Sequence, residues 1–252
     1  MLAQKADAMG LEFMIPFGRW RSFGGEIEYN GECMEVYTWA AALSAKTENI
    51  CLFATSHVPT VHPLLAAKQA STIDHISNGR FGLNTVCGWF TPEMEMFGIP
   101  QIEHDARYRM ADEWISIIKR LWREQEFDHV GEHYQINKGY LNPKPLQAPY
   151  PVLVNAGASE AGREFSAKHV DFNFITMNSL ETGRALVKDI KARALNYDRD
   201  IGVLGYGFML CRDTEEEAQQ ALNYILEHSD WTACENIMNV LGIQSEGFNE
   251  QI

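Results

Sequence analysis

The chain has 252 residues, of which 34 are Asp or Glu and 21 are Lys or Arg, so its formal net charge is −13. This acidic balance argues against general binding to nucleic acids or anionic membranes, because phosphate contacts need clustered Lys and Arg. Hydrophobic residues make up 46% and aromatic residues 11%, which excludes a disordered chain. The length fits a single domain, 1–252, that buries roughly three quarters of its unfolded surface.

The cysteines and the apolar runs bear on the compartment. The chain has 5 cysteines without a CxxC spacing, so we predict neither a disulfide framework nor a zinc site. No apolar run approaches the roughly 18 to 20 residues that a membrane span needs. Charges interrupt the stretch where a signal peptide would have its apolar core. We therefore expect a cytoplasmic protein without membrane contact.

Short β-like runs alternate with amphipathic helical stretches along the chain. In chain order, the predicted elements are a helix at 2–10, a strand at 11–15, a helix at 34–47, a strand at 50–55, a helix at 63–77, a strand at 80–87, a loop at 88–108, a helix at 109–124, an irregular excursion at 125–150, a strand at 152–155, a helix at 159–169, a strand at 171–175, a helix at 180–197, a strand at 201–211 and a helix at 214–228. The tail 229–252 has weak periodicity.

Strands separated by helices predict right-handed βαβ units and a parallel sheet. Six such strands fit either a doubly wound open sheet or a (β/α)8 barrel. An open dinucleotide-binding sheet would normally carry GxGxxG after its first strand, and this chain has none, so the α/β barrel is favoured. The chain starts on a helix and its last predicted helix is followed by no clear strand. We therefore expect a barrel that is incomplete at both ends, as in a fragment that lacks the first and last strands.

In such a barrel, functional residues follow the carboxyl ends of the strands. The most informative segment is NAGAS at 155–159, a strand-to-helix turn of small residues. Small residues let backbone N–H groups approach an anion, and the helix N-terminus adds about half a positive charge. Ser159 suits a phosphate ligand there. A plain helix cap without any ligand explains the spacing equally well.

Other polar residues on this edge have two interpretations. Asn84, inside an apolar strand, serves either a core hydrogen bond or a ligand. Thr55 suits a strand and could be purely structural, and Arg107 with Tyr108 could form either a ligand grip or a solvated helix start. The pair His129 and His133 resembles half of a metal motif. Because Gly131 interrupts a helix there, we predict no metal site.

Several segments together resemble a known family. They are RSFGG at 21–25, STIDHISNGR at 71–80, RFGLNTVCGWFTPEMEMFGI at 80–99, EHDARYRMADEW at 103–114 and NAGASEAGREFSA at 155–167. In this order they resemble the bacterial-luciferase-like family of flavin-dependent monooxygenases, and most closely its pyrimidine oxygenase and dimethylsulfone monooxygenase branch. The resemblance runs from about residue 5 to about residue 220.

The resemblance implies a (β/α)8 (TIM) barrel that binds FMN. It also implies which residues form the cofactor site. Those matched to the family's flavin contacts are Gly18, Arg19, Asn84, Glu93, Arg107, Tyr108 and Ser159, with Ser159 on the phosphate. Thr55 and Asn84 match the residues that line the oxygen pocket and are the implied catalytic pair. A hydroxyl and an amide can hydrogen-bond a reactive oxygen species in a dry site.

The implied activity is that of an FMN-dependent monooxygenase. It would use reduced flavin and dioxygen to oxidise a small organic substrate, either pyrimidine-like or amide-like or an organosulfur compound. The implied partners are an NAD(P)H-dependent flavin reductase and further copies of the chain in a homo-oligomer. Two alternatives stay open, namely a flavin-binding but inactive truncated homologue and an oxidoreductase that uses the deazaflavin F420.

Overall fold

The structure is a computed structural model that describes residues 2–177 and 179–244. Its helices are α1 Leu2–Ala8, α2 Val36–Ser44, α3 Pro63–Ile76, α4 Thr91–Met96, α5 His104–Arg123, α6 Glu160–His169, α7 Leu180–Leu195, α8 Glu215–Glu227 and α9 Trp231–Gln244. Its strands are β1 Phe13–Met14, β2 Cys51–His57, β3 Phe81–Val86, β4 Phe127–Val130, β5 Gln135–Gly139, β6 Val152–Asn155, β7 Phe172–Thr176 and β8 Gly202–Tyr206.

The main sheet is parallel and has the order β1-β2-β3-β6-β7-β8. Each of the six strands predicted from the sequence is one of its strands, and helices connect most of them, as βαβ units require. The sheet curls into a half-barrel, so the expected α/β fold is confirmed. Because the strands are parallel, their carboxyl ends share one edge, and this edge carries the predicted site.

The core lies between the sheet and the helix layer around it. The longest helix, α5, presents an apolar stripe that is fully buried, formed by Trp114, Ile115, Ile117, Ile118 and Leu121. The stripe packs with buried residues of β3 and β6 such as Leu83 and Leu153. This packing fixes the N-terminal end of α5 relative to the sheet edge.

The structure corrects the loop predicted at 88–108. Pro92, in the first turn of α4, suits a helix start, and α4 spans Thr91–Met96. The carboxylate of Glu103 then accepts hydrogen bonds from the backbone N–H groups of Asp105 and Ala106. This N-cap starts α5 at His104, five residues before the predicted position, because a carboxylate satisfies the first free N–H groups of a helix.

The structure contains a helix in the tail after residue 229 and a hairpin in the excursion at 125–150. Helix α9 occupies Trp231–Gln244, where the sequence shows only weak periodicity. The Asp230 carboxylate accepts a hydrogen bond from the N–H of Ala233 in its first turn. Residues 245–252 lie outside the described part of the chain. The excursion at 125–150 contains the antiparallel hairpin β4–β5, separate from the main sheet as predicted. Within 2–177 and 179–244, no helix is long and apolar enough to cross a membrane.

The histidine pair at 129 and 133 belongs to this hairpin region and not to a helix. The Nε2 atom of His129 lies 2.8 Å from Oε1 of Glu113 on α5. The same carboxylate accepts hydrogen bonds from the backbone N–H groups of His133 and Tyr134. Glu113 therefore fastens the hairpin to α5 through the side chain of His129 and the backbone of His133.

Candidate active site

Two neighbouring strands bring Thr55 and Asn84 together at the carboxyl edge of the sheet. Thr55 on β2 is the register partner of Asn84 on β3, and both are buried. The Asn84 amide donates from Nδ2 to Oγ1 of Thr55 at 3.1 Å, and the Thr55 hydroxyl donates to the carbonyl oxygen of Pro16 at 2.6 Å. The Oδ1 atom of Asn84 has no hydrogen-bond partner among the described residues. The pair thus presents a buried acceptor, which is costly unless a ligand satisfies it.

Gly18 lies directly against Thr55. A Cβ atom at residue 18 would lie 2.8 Å from the carbonyl oxygen of Thr55 and 3.1 Å from Cε1 of His57. Only glycine permits this close approach of the loop to the end of β2. The backbone of the loop after β1 therefore forms part of the wall beside Thr55 and Asn84.

An ion pair between Glu93 and the largely buried Arg19 holds the next residues of that loop. Glu93 on α4 is fully buried, and its Oε2 atom accepts from Nη1 of Arg19 at 3.0 Å. Its Oε1 atom accepts from the backbone N–H of Trp20 at 2.7 Å. The Arg19 guanidinium also lies 4.7 Å from the centre of the Trp89 ring, a favourable cation–π distance. The hydrogen-bonding capacity of Glu93 is thus used to fix the loop.

His57 lies at the same place, although no role was predicted for it from the sequence. Its Nε2 atom lies 3.9 Å from Oε2 of Glu93, and its ring lines a cavity of about 30 Å³ beside Gly18 and Thr55. Burial and the nearby charge of Arg19 lower the pKa of His57 to about 4, so the imidazole is neutral at pH 7. Its position two residues beyond Thr55, at the end of β2, places it among the strand-end residues that a barrel uses for function.

The turn at 155–159, predicted to bind an anion, leads directly into the first turn of α6. Ser159 is the N-cap of α6, and its Oγ atom accepts from the N–H of Gly162 at 3.2 Å. A Cβ atom at Gly157 would lie 2.6 Å from Cα of Gly162, so two glycines let the turn lie flat on the first turn of the helix. Since a helix leaves its first N–H groups without intrahelical acceptors, this end favours an anion.

Two side chains of α5 converge on Ser159. The Nε2 atom of His104 lies 3.1 Å from Oγ of Ser159. The phenol of Tyr108 lies against Gly162 and interacts with Ser159, and burial raises the pKa of this phenol, so it stays a donor. His104 was missed by the sequence reasoning. His104 and Tyr108 are four residues apart, which places both on one face of a helix. This spacing carried no information as long as 88–108 was predicted to be a loop.

Arg107 points away from this convergence. Its Nη1 atom donates to the carbonyl oxygen of Gly88 at 3.1 Å, and its side chain is buried. Burial raises the pKa of the neighbouring Cys87 thiol to about 12 despite the charge of Arg107. Arg107 and Tyr108 were predicted to hold one ligand together, but they contact different parts of the edge. Tyr108 lies at the turn before α6, and Arg107 binds the backbone at Gly88.

Comparisons with known proteins identify the family of the chain. The family model of luciferase-like monooxygenases matches residues 1–249. An FMNH(2)-dependent dimethylsulfone monooxygenase of Pseudomonas putida is 36% identical over 91% of this chain and 62% of its own length. The pyrimidine monooxygenase RutA of Acinetobacter baylyi is 34% identical over 94% of this chain and 65% of its own length. The chain thus spans less than two thirds of each of these relatives.

Solved structures share the fold. Long-chain alkane monooxygenase (LadA) superposes with a TM-score of 0.86 at 24% identity, covering 95% of this chain and 63% of that protein. Riboflavin lyase (RcaE), solved with modified FMN and riboflavin, superposes with a TM-score of 0.82 at 26% identity, covering 90% and 58%. DmoA of Hyphomicrobium sulfonivorans gives 0.84 at 22% identity, covering 98% and 59%.

Proposed function

The chain belongs to the luciferase-like monooxygenase family, and from that premise we propose that it binds FMN at the carboxyl edge of its sheet as part of an FMN-dependent monooxygenase. The proposal rests on the convergence of His104 and Tyr108 on Ser159 at the start of α6. One imidazole, one phenol and one hydroxyl at a helix N-terminus suit a phosphate group. The named relatives, one of which is FMNH(2)-dependent, point to the same cofactor.

The ring end of a flavin fits the other half of the edge. The buried Oδ1 atom of Asn84 lacks a partner among the described residues, and flavin rings carry N–H donors that would satisfy it. We assign the phosphate to Ser159, His104 and Tyr108, and the ring to Asn84 and the loop at Gly18. When bound, reduced flavin supplies the electrons that activate dioxygen.

The chain's own residues then prepare the site for oxygen chemistry. Thr55 and Asn84 hold a directed pair of hydrogen bonds and would orient polar groups of oxygen and substrate. Arg19 and Glu93 keep the Gly18 loop in place. The rings of Trp89 and Phe90 pack around the Arg19 guanidinium, where they would shield the site from water. A dry site of fixed dipoles favours charge that develops during reaction.

For the substrate, we propose a small organic molecule of the pyrimidine or amide type or an organosulfur compound. The support is the identity of 34–36% to relatives named for pyrimidine and dimethylsulfone oxidation. Thr55 favours the pyrimidine type, because the family resemblance matches it to a residue of the oxygen pocket in that branch. A separate NAD(P)H-dependent reductase would supply reduced flavin, and we propose a cytoplasmic homo-oligomer.

A flavin titration tests the proposal. The purified chain is titrated with oxidised FMN, with anaerobically reduced FMN and with F420, while fluorescence and absorbance are followed. We expect saturable binding that prefers reduced FMN, followed by oxygen consumption that depends on a pyrimidine, amide or sulfone. Binding without any substrate-dependent oxygen consumption would favour an inactive flavin protein. Tighter binding of F420 than of FMN, or no binding of either, would contradict the cofactor assignment.

A further inference from the structure

A buried amide lies behind the Ser159 turn. Asn173 on β7 is completely buried and is the register partner of Asn155 at the end of β6. Its Nδ2 atom lies 3.2 Å from the carbonyl oxygen of Asn155, 3.2 Å from that of Gly157 and 2.7 Å from Oγ of Ser166 on α6. One side chain on a neighbouring strand thus contacts both ends of the Asn155–Gly157 segment and the helix that follows it.

A second amide completes the network. The Oδ1 atom of Asn155 accepts from the N–H of Gly157 at 2.7 Å and from Oγ of Ser166 at 3.0 Å. Its Nδ2 atom donates to the carbonyl oxygen of Thr85 on β3 at 2.7 Å. Hydrogen bonds from Asn155, Ser166 and Asn173 therefore tie the turn to β3, β7 and α6. Buried networks of this kind fix one geometry when their members find partners.

The network decides which way the peptides of the turn face. A trans peptide directs its C=O and the following N–H in opposite directions, and the Gly157–Ala158 bond is trans, since the cis bonds of the described chain precede Pro143 and Pro149. Asn173 draws the carbonyl of Gly157 into the interior. The N–H of Ala158 must then face outward, away from Asn173 and at the start of α6.

We propose that Asn173 is a positioning residue that aims the N–H of Ala158 at the phosphate held by Ser159. The inference rests on the proposed function, because it assumes that the turn binds the FMN phosphate. Asn173 itself touches no ligand and acts through the carbonyl of Gly157. Its effect should therefore depend on the phosphate and not on the flavin ring.

The test compares two ligands that differ only in the phosphate. Dissociation constants of FMN and riboflavin are measured by fluorescence quenching for the wild type and for Asn173→Leu, a side chain of similar size without donors. We expect FMN binding to weaken about tenfold, which equals about 1.4 kcal/mol, with riboflavin changed less than about twofold. The milder Ser166→Ala removes the shortest contact of Asn173 and should weaken FMN binding about threefold in the same selective way.

The matched control is Ser71→Ala. Ser71 is completely buried and donates to the carbonyl oxygen of Pro143 at 2.6 Å, so its loss removes a core hydrogen bond in another part of the molecule. We expect its preference for FMN over riboflavin to equal that of the wild type. A selective loss in Ser166→Ala supports the inference even where Asn173→Leu does not fold.

Two results separate the failure of this inference from that of the proposed function. Equal weakening of FMN and riboflavin binding, or an unchanged preference in both variants, would overturn the role of Asn173 while the proposed function stands. A wild type that binds riboflavin as tightly as FMN would overturn the phosphate assignment of the turn, and this inference with it.

Discussion

Two parts of the same sheet edge use polar residues in opposite ways. Around Glu93, the carboxylate is satisfied by Arg19 and by the backbone of Trp20, and its side chain is completely buried. Around Ser159, by contrast, His104 and Tyr108 meet a helix N-terminus whose first N–H groups favour an anion. In the first part the charged groups satisfy each other, whereas the second is where we propose that the ligand phosphate binds.

This difference distinguishes residues that stabilise the fold, such as Glu93, from residues that we propose bind the ligand, such as Ser159. The resemblance implied a flavin contact for Glu93 and for Ser159 alike. The structure places Glu93 under the loop, where its charge fixes Arg19 and the backbone, and places Ser159 where side chains from a second helix converge. We therefore expect changes at Glu93 to act mainly on stability and changes at Ser159 mainly on affinity.

The largest expected effect is that of Glu93→Gln. It leaves the largely buried Arg19 guanidinium without a counter-charge, which costs about 3 to 5 kcal/mol in comparable pairs. Chemical denaturation monitored by circular dichroism measures the free energy of unfolding. Glu95→Gln, on the same helix but exposed, is the control and should change it by less than about 0.5 kcal/mol. A stable Glu93→Gln protein with weakened FMN binding would instead make Glu93 a direct contact.

The second prediction concerns acid stability in the same part of the edge. His57 has a folded pKa of about 4 against an ordinary value of 6.5, and it faces Arg19 and Glu93. The unfolded chain binds the proton more readily, so stability is complete above pH 6.5 and falls as the pH drops toward 4. From pH 8 to pH 5 we expect this group alone to cost about 2 kcal/mol.

Denaturant titrations of the wild type and of His57→Gln at pH 8, 6 and 5 isolate this contribution. The variant should lose less stability over that range, because glutamine does not titrate. Other groups, such as His169, whose pKa burial also lowers, remain in both proteins. Parallel pH profiles of the two proteins would mean that His57 does not titrate as its surroundings indicate.

The fold was predictable because its signals are local. Alternating apolar periods marked the six parallel strands, and the small residues before Ser159 marked the start of α6 within one residue. The helix α4 and the beginning of α5 were missed for a different reason. The Glu103 cap and the burial of Glu93 depend on contacts that the hydrophobic period does not encode, and the second involves a loop about 70 residues earlier.

For the candidate site, the sequence predicted which strand ends lie close together, but not the hydrogen bonds between their side chains. Thr55, Asn84 and Gly18 meet because parallel strands end at one edge, which the strand order implies. The different contacts of Arg107 and Tyr108 follow only once both are known to lie on a helix, since adjacent side chains on a helix point about 100° apart. Asn173 shows the limit most clearly, because no motif marked it and only the register of β7 beside β6 places it behind the turn.

The third prediction tests the ligand side of the comparison with two serine caps. Ser159→Ala should weaken FMN binding about tenfold and lower the free energy of unfolding by about 1 kcal/mol. Ser179→Ala removes a similar cap, from α7, and should cost about the same stability with unchanged FMN affinity. Flavin titration and denaturant unfolding of both variants give the comparison. Equal FMN affinities in the two would reduce Ser159 to a plain cap.

The smallest expected effect on stability is that of a change at Asn84, which tests support and ligand binding in a single residue. Asn84→Leu removes a buried acceptor that lacks a partner among the described residues, and it also removes the hydrogen bond to Oγ1 of Thr55. The two changes oppose each other, so the free energy of unfolding should change by less than about 1 kcal/mol. Reduced FMN should bind about tenfold more weakly, because the flavin ring loses its acceptor. Thr85→Val is the matched control, since the adjacent Thr85 hydroxyl on β3 is also buried without a partner in the described chain. Both variants should stay within about 1 kcal/mol of the wild type in stability, and only Asn84→Leu should lose flavin affinity. A marked loss of stability in Asn84→Leu with unchanged flavin binding would place Asn84 with Glu93 among the supporting residues.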